Sequence, residues 1–261
     1  MRSWMRETRV IIGNMQFESP DFTIECDVNF GDDDDANDAE IKIYNLSRST
    51  LNRIKKHEPV IINAGYEGDT GNIFLGAVLN SKTDKDGVDR ITTIVATDAS
   101  EAWNEMEISE SFKAGTRASQ VLDKILGITG LEIGALDLPD DIEYQRTRTF
   151  KGKLRDVIKR IAKDTGAKVF ILNGKIFLRD PNEGGTVQFR LDSERGLVGT
   201  PERFEEEDYE GYRVTALLNH RMTTDSKIRI ESETANGVYR IKKGKHVIND
   251  SDFYTIAECV E

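Results

Sequence analysis

Glu40-Ile41-Lys42-Ile43-Tyr44-Asn45-Leu46-Ser47 opens the stretch that decides the fold. It continues through Val60-Ile61-Ile62-Asn63-Ala64-Gly65-Tyr66 and Gly71-Asn72-Ile73-Phe74-Leu75-Gly76-Ala77-Val78, and closes on Ile91-Thr92-Thr93-Ile94-Val95-Ala96-Thr97-Asp98. The order reads as strand, short helix, strand, tight hairpin, strand, polar turn, strand. Ser47 stands where an N-cap would open a helix over about residues 48–56, and Pro59 lies beyond its end. Glu67-Gly68-Asp69-Thr70-Gly71 and Lys85-Asp86-Gly87 read as turns. Upstream, Phe22-Thr23-Ile24-Glu25-Cys26-Asp27-Val28 alternates apolar with polar. Many strands with one short helix predict a small barrel or sandwich, with Leu75, Val78 and Ile94 in its core.

The chain has 261 residues, room for two domains of ordinary size. Its 38% hydrophobic content supports a core, and 32% charged residues imply a well-solvated surface. No run approaches the roughly 20 apolar residues of a membrane helix, so no membrane insertion is expected. Met1-Arg2-Ser3-Trp4-Met5-Arg6 has positive charge but no apolar run behind it, unlike a secretory signal, which points to assembly in a cytoplasm. Cys26 and Cys259 lie far apart in strand-like runs and read as buried free thiols. The net charge of −11 is unevenly spread: residues 1–100 carry 11 Lys+Arg against 18 Asp+Glu, residues 101–180 carry 14 against 13, and residues 181–261 carry 11 against 16. Acidic flanks argue against specific nucleic-acid binding, which draws its affinity from neutralised phosphates.

The middle changes period. Ala118, Val121, Leu122, Ile125 and Leu126 fall at helical spacing, and Leu154, Val157, Ile158, Ile161 and Ala162 repeat it. Thr129-Gly130 and Thr165-Gly166 read as helix stops, and Asn173-Gly174 as a type I′ turn. Residues 112–183 are therefore expected to form a two-helix α/β module. The strand pattern returns over residues 186–191, 212–218, 227–231, 238–241 and 253–258, with Asn236-Gly237 as a hairpin signal and Glu205-Glu206-Glu207-Asp208 as an acidic loop.

Catalytic signals are weak. Asp69-Thr70-Gly71 and Asp164-Thr165-Gly166 superficially suggest an aspartic-protease pair, but one sits in a polar hairpin and the other at a helix end. An EF-hand register starting at Asp33 fails at Asp38 and Tyr44. His57, His220 and His246 show no ligand spacing, and neither a nucleophile elbow nor a Walker loop is present. The reading is non-enzymatic, without cofactor or metal. One candidate docking face remains: Lys153, Arg155, Lys159, Arg160 and Lys163 lie in a segment from residue 146 to 168 that holds nine basic residues and only Asp156 and Asp164 as acids. The plain reading is the solvated side of an amphipathic helix, and the sharper one is a contact for an acidic partner.

The order of these pieces resembles the bacteriophage tail and baseplate hub proteins (phage late control protein D-like). Tyr212-Arg213-Val214-Thr215-Ala216-Leu217-Leu218-Asn219 resembles that family's strand ending in Leu-Leu-Asn-Pro, with His220 in place of proline. Gly196-Leu197-Val198-Gly199-Thr200-Pro201, Gly237-Val238-Tyr239-Arg240-Ile241 and Phe253-Tyr254-Thr255-Ile256-Ala257-Glu258 resemble its flanking segments, while His246-Val247-Ile248-Asn249-Asp250 lacks the usual glycine. The resemblance implies a mainly β chain with an α/β insertion: tube-like β-barrels over residues 1–111 and 184–261 flanking the module at 112–183. It implies a homotrimeric ring adapting a hexameric tail tube to a central spike or tail tip, in the virion tail or baseplate. Partners would be other copies of the chain, the tube protein, the spike or tip, and the tape measure protein, with DNA passing through an acidic lumen. The alternative is a tail-associated peptidoglycan hydrolase.

Overall fold

Apolar and polar residues alternate along the first hundred positions because each strand there buries one side. In the computed structural model, which describes residues 5–32, 36–100, 103, 105–129, 131–181, 187–206 and 209–261, those strands are β1 (Arg6–Ile12), β2 (Met15–Glu18), β3 (Ile24–Gly31), β4 (Asp38–Tyr44), β5 (Pro59–Tyr66), β6 (Asp69–Asp86) and β7 (Asp89–Thr97), with helix α1 (Arg48–Leu51) between β4 and β5. The middle supplies β8 (Glu107–Phe112), β9 (Thr116–Arg117), α2 (Ala118–Thr129), β10 (Glu132–Leu136), β11 (Glu143–Tyr144), β12 (Arg148–Lys153), α3 (Leu154–Thr165), β13 (Lys168–Leu172) and β14 (Lys175–Arg179). The last part adds β15 (Val187–Leu191), β16 (Leu197–Glu205), β17 (Glu210–Leu217), β18 (Lys227–Glu231), β19 (Asn236–Ile248) and β20 (Phe253–Val260). The fold is mainly β. Its contacts divide it into two units, residues 1–31, 37–97 and 185–261 in the first and residues 32–36 and 98–184 in the second.

The first unit is one 13-stranded sheet in the order β16-β17-β20-β19-β3-β4-β7-β6-β5-β1-β2, with β18 on β19 and β15 on β18. Strands from both ends of the sequence are therefore neighbours. They meet where β3 runs antiparallel to β19, from Gly31 opposite Lys243 to Cys26 opposite Ile248. Among the described residues the strand order ends at β16 and β2 with no closing pair, so closed barrels are not seen. Two cores lie under this sheet. One gathers Val10, Ile41, Ile43, Ile62, Phe74 and Ile94 with Leu218, Ile248 and Phe253 from the far end of the chain. The other gathers Val214, Ile228, Ile230 and Ile241 with Phe30 from β3. Each half thus sends side chains into the other's core.

A buried polar pair lies at the seam between halves. His246 on β19 is 1% exposed, and its Nδ1 lies 2.8 Å from Thr255 Oγ1 on β20. Phe30 packs against the imidazole at 4.9 Å between ring centres. Burial, with His220 nearby, pulls the His246 pKa down to about 3, so the ring is neutral in the folded state. A second link joins the start of β6 to the turn after β17: Arg221 donates two hydrogen bonds to Asp69, at 2.6 and 3.0 Å. Those bonds lower the Asp69 pKa. Gly71 lies beneath the His220 ring, where a Cβ would stand 2.1 Å from Cδ2.

The second unit packs helices against a small sheet. β10, β14 and β13 form three strands in that order, and β8–β12 and β9–β11 form two ribbons. The apolar stripes of α2 and α3 are buried as their spacing predicts, with Val121, Leu122, Ile125, Val157, Ile158 and Ile161 at 0% exposure. Gly166 caps α3 in the left-handed region at φ 71°, and Asn173 and Gly174 both take positive φ in the turn between β13 and β14. Gly130 lies outside the described residues. Asp32 is buried with Lys168 Nζ 3.5 Å from its carboxylate, a link between residues 136 apart that no local pattern signals.

Five readings need correction. Helix α1 ends at Leu51, because Arg53 and Ile54 donate to Thr50 and Leu51 in tighter i to i−3 bonds. Ser47 does cap it, accepting from the Thr50 N–H at 3.1 Å. Asn236-Gly237 begins β19 and is no turn. The chain reverses over residues 232–235, where Ser232 Oγ and N–H bond Ala235. Residues 197–205 form strand β16 where the sequence suggested only a lead-in. The polar stretch after Val78 is strand to Asp86, held by β7. Val78 and Ile94 are core, but Leu75 is 37% exposed on the opposite face.

Two stability measurements follow. Unfolded histidine takes up a proton below about pH 6.5 while His246 stays neutral, so its contribution is lost as pH falls from there toward 3. Between pH 7 and pH 5 the stability difference between wild type and His246→Gln should narrow by about 2 kcal/mol, read by urea unfolding. An unchanged difference removes the buried neutral ring. Arg221→Ala should cost about 1–2 kcal/mol at pH 7. Because the Asp69 pKa is depressed, that link is present above its unfolded value near 4 and disappears as pH drops through the folded one, so the deficit should vanish in strong acid.

Candidate docking faces

Helix α3 sets up the basic face. Its apolar stripe faces the second unit's core, so the remaining arc must carry the polar residues. Arg155, Lys159 and Lys163 recur every four residues and form one ridge along that arc, with Arg160 beside it and Lys153 at the N-cap. Lys153, Arg160 and Lys163 are exposed, while Arg155 and Lys159 are half-buried. Arg155 Nε lies 3.8 Å from Asp156 Oδ1 and is shielded from solvent without a hydrogen-bond partner. The structure thus places four of the five candidate residues on one helix and Lys153 at its N-cap. Arg148, from the same basic segment, is withdrawn into an ion pair with Asp164 at 2.7 Å and packs over Tyr144 and Phe150.

An acidic face stands on the first unit. Direct opposition of Asp27 to Glu40 across β3 and β4 places like charges side by side. Such a pair is unfavourable unless cations attend it. Lys245 reaches Asp27 at 3.0 Å and Lys42 reaches Glu40 at 3.3 Å. Glu25 accepts from the Tyr44 hydroxyl at 2.8 Å, and that bond pushes the tyrosine up to about 12. Asp38 accepts from Asn29 at the other end of the strand pair. The sequence contained this cluster as alternate residues on two strands, but only strand pairing shows that they share one surface.

The residues suggestive of catalysis are committed elsewhere. Asp69 is clamped by Arg221, and its pKa moves down, whereas carboxylates sharing a proton need one to move up. Asp164 is held in the second unit by Arg148 and the Tyr144 hydroxyl. His220 lines a cleft with Tyr66, Asp69, Leu217 and Asn219, and burial lowers its pKa. Cys26 and Cys259 are buried free thiols pushed far up by burial. Among the described residues no group of three or more His, Cys, Asp or Glu could hold a metal. Asp33 to Asp35 of the failed calcium register lie outside the described residues. No helix among those described is long and apolar enough to cross a membrane.

Known proteins match this arrangement over nearly its full length. A tail protein from Neisseria meningitidis MC58 superposes with a TM-score of 0.73 at 9% identity, covering 99% of this chain and 97% of that one. The 43 kDa tail protein of prophage MuSo2 from Shewanella oneidensis gives 0.71 at 10% identity, covering 98% of both. The E. coli c3393 protein, described as a type VI secretion component similar to the T4 tail proteins gp27 and gp5, gives 0.68 at 6% identity over 96% of this chain and 76% of that one. These likenesses establish the fold. No curated protein sequence shows a significant match. The family model for baseplate hub gp41 matches residues 19–259. The chain therefore belongs to the baseplate hub gp41 family, and is a structural, hub-like component of a phage tail or baseplate.

Proposed function

We propose that the chain forms a ring, three copies round, that adapts a sixfold tail tube to a central spike or tip. The supporting observation is the single sheet that carries two cores, one under each half. Two such lobes per chain give three copies six related lobes, which is how a threefold object can meet a sixfold one. On this reading the N-terminal and C-terminal segments supply the tube-like lobes. The α/β segment between them supplies a contact. The role is mechanical, without a catalytic step or cofactor, in a particle assembled in the host cytoplasm. Tube, spike or tip, and tape measure proteins are its partners, and the acidic surplus lets DNA pass without sticking.

Charge suggests how neighbours recognise each other. The ridge of Arg155, Lys159 and Lys163 on one copy complements the Glu25, Asp27, Asp38 and Glu40 face on the next. Such rim charges set orientation and association rate more than final affinity. Sedimentation of the purified chain should give a species of three times the chain mass, seen by imaging as a ring with six similar lobes. Lys159→Glu with Lys163→Glu should slow ring formation at least about tenfold at low salt, and Glu40→Lys with Asp27→Lys in the same chain should recover most of it. A monomer at every concentration, or rings indifferent to both changes, would remove the proposal.

A further inference from the structure

Strand β6 outruns its neighbour. β5 pairs with it from Asp69 to Ala77, and the last bonds on that side are Val78 N–H to Glu58 and His57 N–H to the Val78 carbonyl. β7 continues beside it on the other side to Asp86. Residues 79–86 are therefore an edge strand whose outer backbone groups have no strand partner among the described residues, and every side chain in them is exposed. Such an edge is a template for another strand. The other ends of the sheet carry features that discourage pairing: β16 has Pro201 and a break in register between Val198 and Glu202, β2 has four residues, and β15 has five with its own break. The β6 overhang holds no proline and, past a bulge at Leu79, runs in register with β7 from Asn80 to Asp86, and the hairpin tip presents Val88 at 93% exposure.

We infer that this hairpin edge pairs, antiparallel and about a two-fold axis, with the same edge of a second copy of the chain. The choice of occupant rests on the charge pattern. Registers that let the outward face of one sheet continue into the outward face of the other place one residue opposite itself. Setting Lys82 on the axis opposes two ammonium groups, and setting Asp84 there opposes two carboxylates. With Thr83 on the axis, Lys82 of each copy faces Asp84 of the other. These side chains already share a face, 2.9 Å apart within one strand, so the pairing builds a square of alternating charges. The axis would bring Thr83 against Thr83, a favourable cross-strand match. The same register carries the Val88 tip of each hairpin to the region of the other's Leu79, which is 46% exposed. Charges thus pair in the centre and apolar groups at both ends. The contact is isologous, distinct from the head-to-tail contacts that close a ring, and it joins two particles whether each is a single chain or a ring.

Sedimentation velocity from about 5 to 500 µM should show particle mass doubling with a Kd of about 10–100 µM, as befits a small interface. Lys82→Asp alone, or Asp84→Lys alone, should raise that Kd at least about tenfold by placing like charges opposite each other twice. Both changes together restore opposition of unlike charges, and should return the Kd to within about threefold of wild type. All three variants lie on an exposed overhang, and their far-ultraviolet circular dichroism should match wild type. The inference is overturned by a wild type whose mass does not double across the series. It is also overturned by doubling that ignores the single changes, or by a double variant that stays weak. A threefold particle with no charge-dependent doubling would keep the ring reading and remove this one.

Discussion

Backbone pairing between β3 and β19 holds the two ends of the sequence in one sheet, and most other features of the first unit depend on it. Six residue pairs, Gly31 with Lys243 through Cys26 with Ile248, join strands more than 200 positions apart. Closing so long a loop costs conformational entropy that local contacts do not repay. The compensation is visible on both sides of the seam. Phe30 enters the C-terminal core, while Leu218, Ile248 and Phe253 enter the N-terminal one. Neither core is complete without the other half of the chain.

The polar groups at the seam add specificity to this burial. His246 and Thr255 satisfy one another where a one-residue slip would put an imidazole against aliphatic side chains. The Asp69–Arg221 clamp fixes the β5–β6 turn against the turn after β17, and Gly71 leaves room for His220 between them. Within the first unit, the continuous sheet couples the two halves through backbone hydrogen bonds instead of through a flexible linker.

Local chemistry was legible in the sequence wherever short-range physics decides. Helical spacing of Leu154, Val157, Ile158 and Ile161 named the buried side of α3, and Asn173-Gly174 named the turn between β13 and β14, because both depend only on neighbours in the chain. The placement of Arg155, Lys159, Arg160 and Lys163 along one helix, with Lys153 at its N-cap, was readable for the same reason. The acidic cluster on β3 and β4 was not, since Asp27 and Glu40 become neighbours only through strand register. Leu75 was assigned to the core by its apolar nature, yet β6 turns it outward opposite Ile61. The stretch after Val78 looked like a turn because it is polar. It is extended because β7 binds it, and strands exposed on both faces have no apolar alternation to betray them. Asn236-Gly237 misled in the opposite direction: a strong turn pair was overruled by the Ser232–Ala235 reversal just before it.

Whether the two ends of the chain truly act as one sheet can be measured by native-state hydrogen exchange. Amides of β3 and β4 should open together with those of β19 and β20, at one free energy and with one dependence on denaturant, because the seam makes them a single cooperative unit. If the N-terminal strands exchange through an opening that leaves β17, β19 and β20 protected, the halves are independent and the account fails at its foundation.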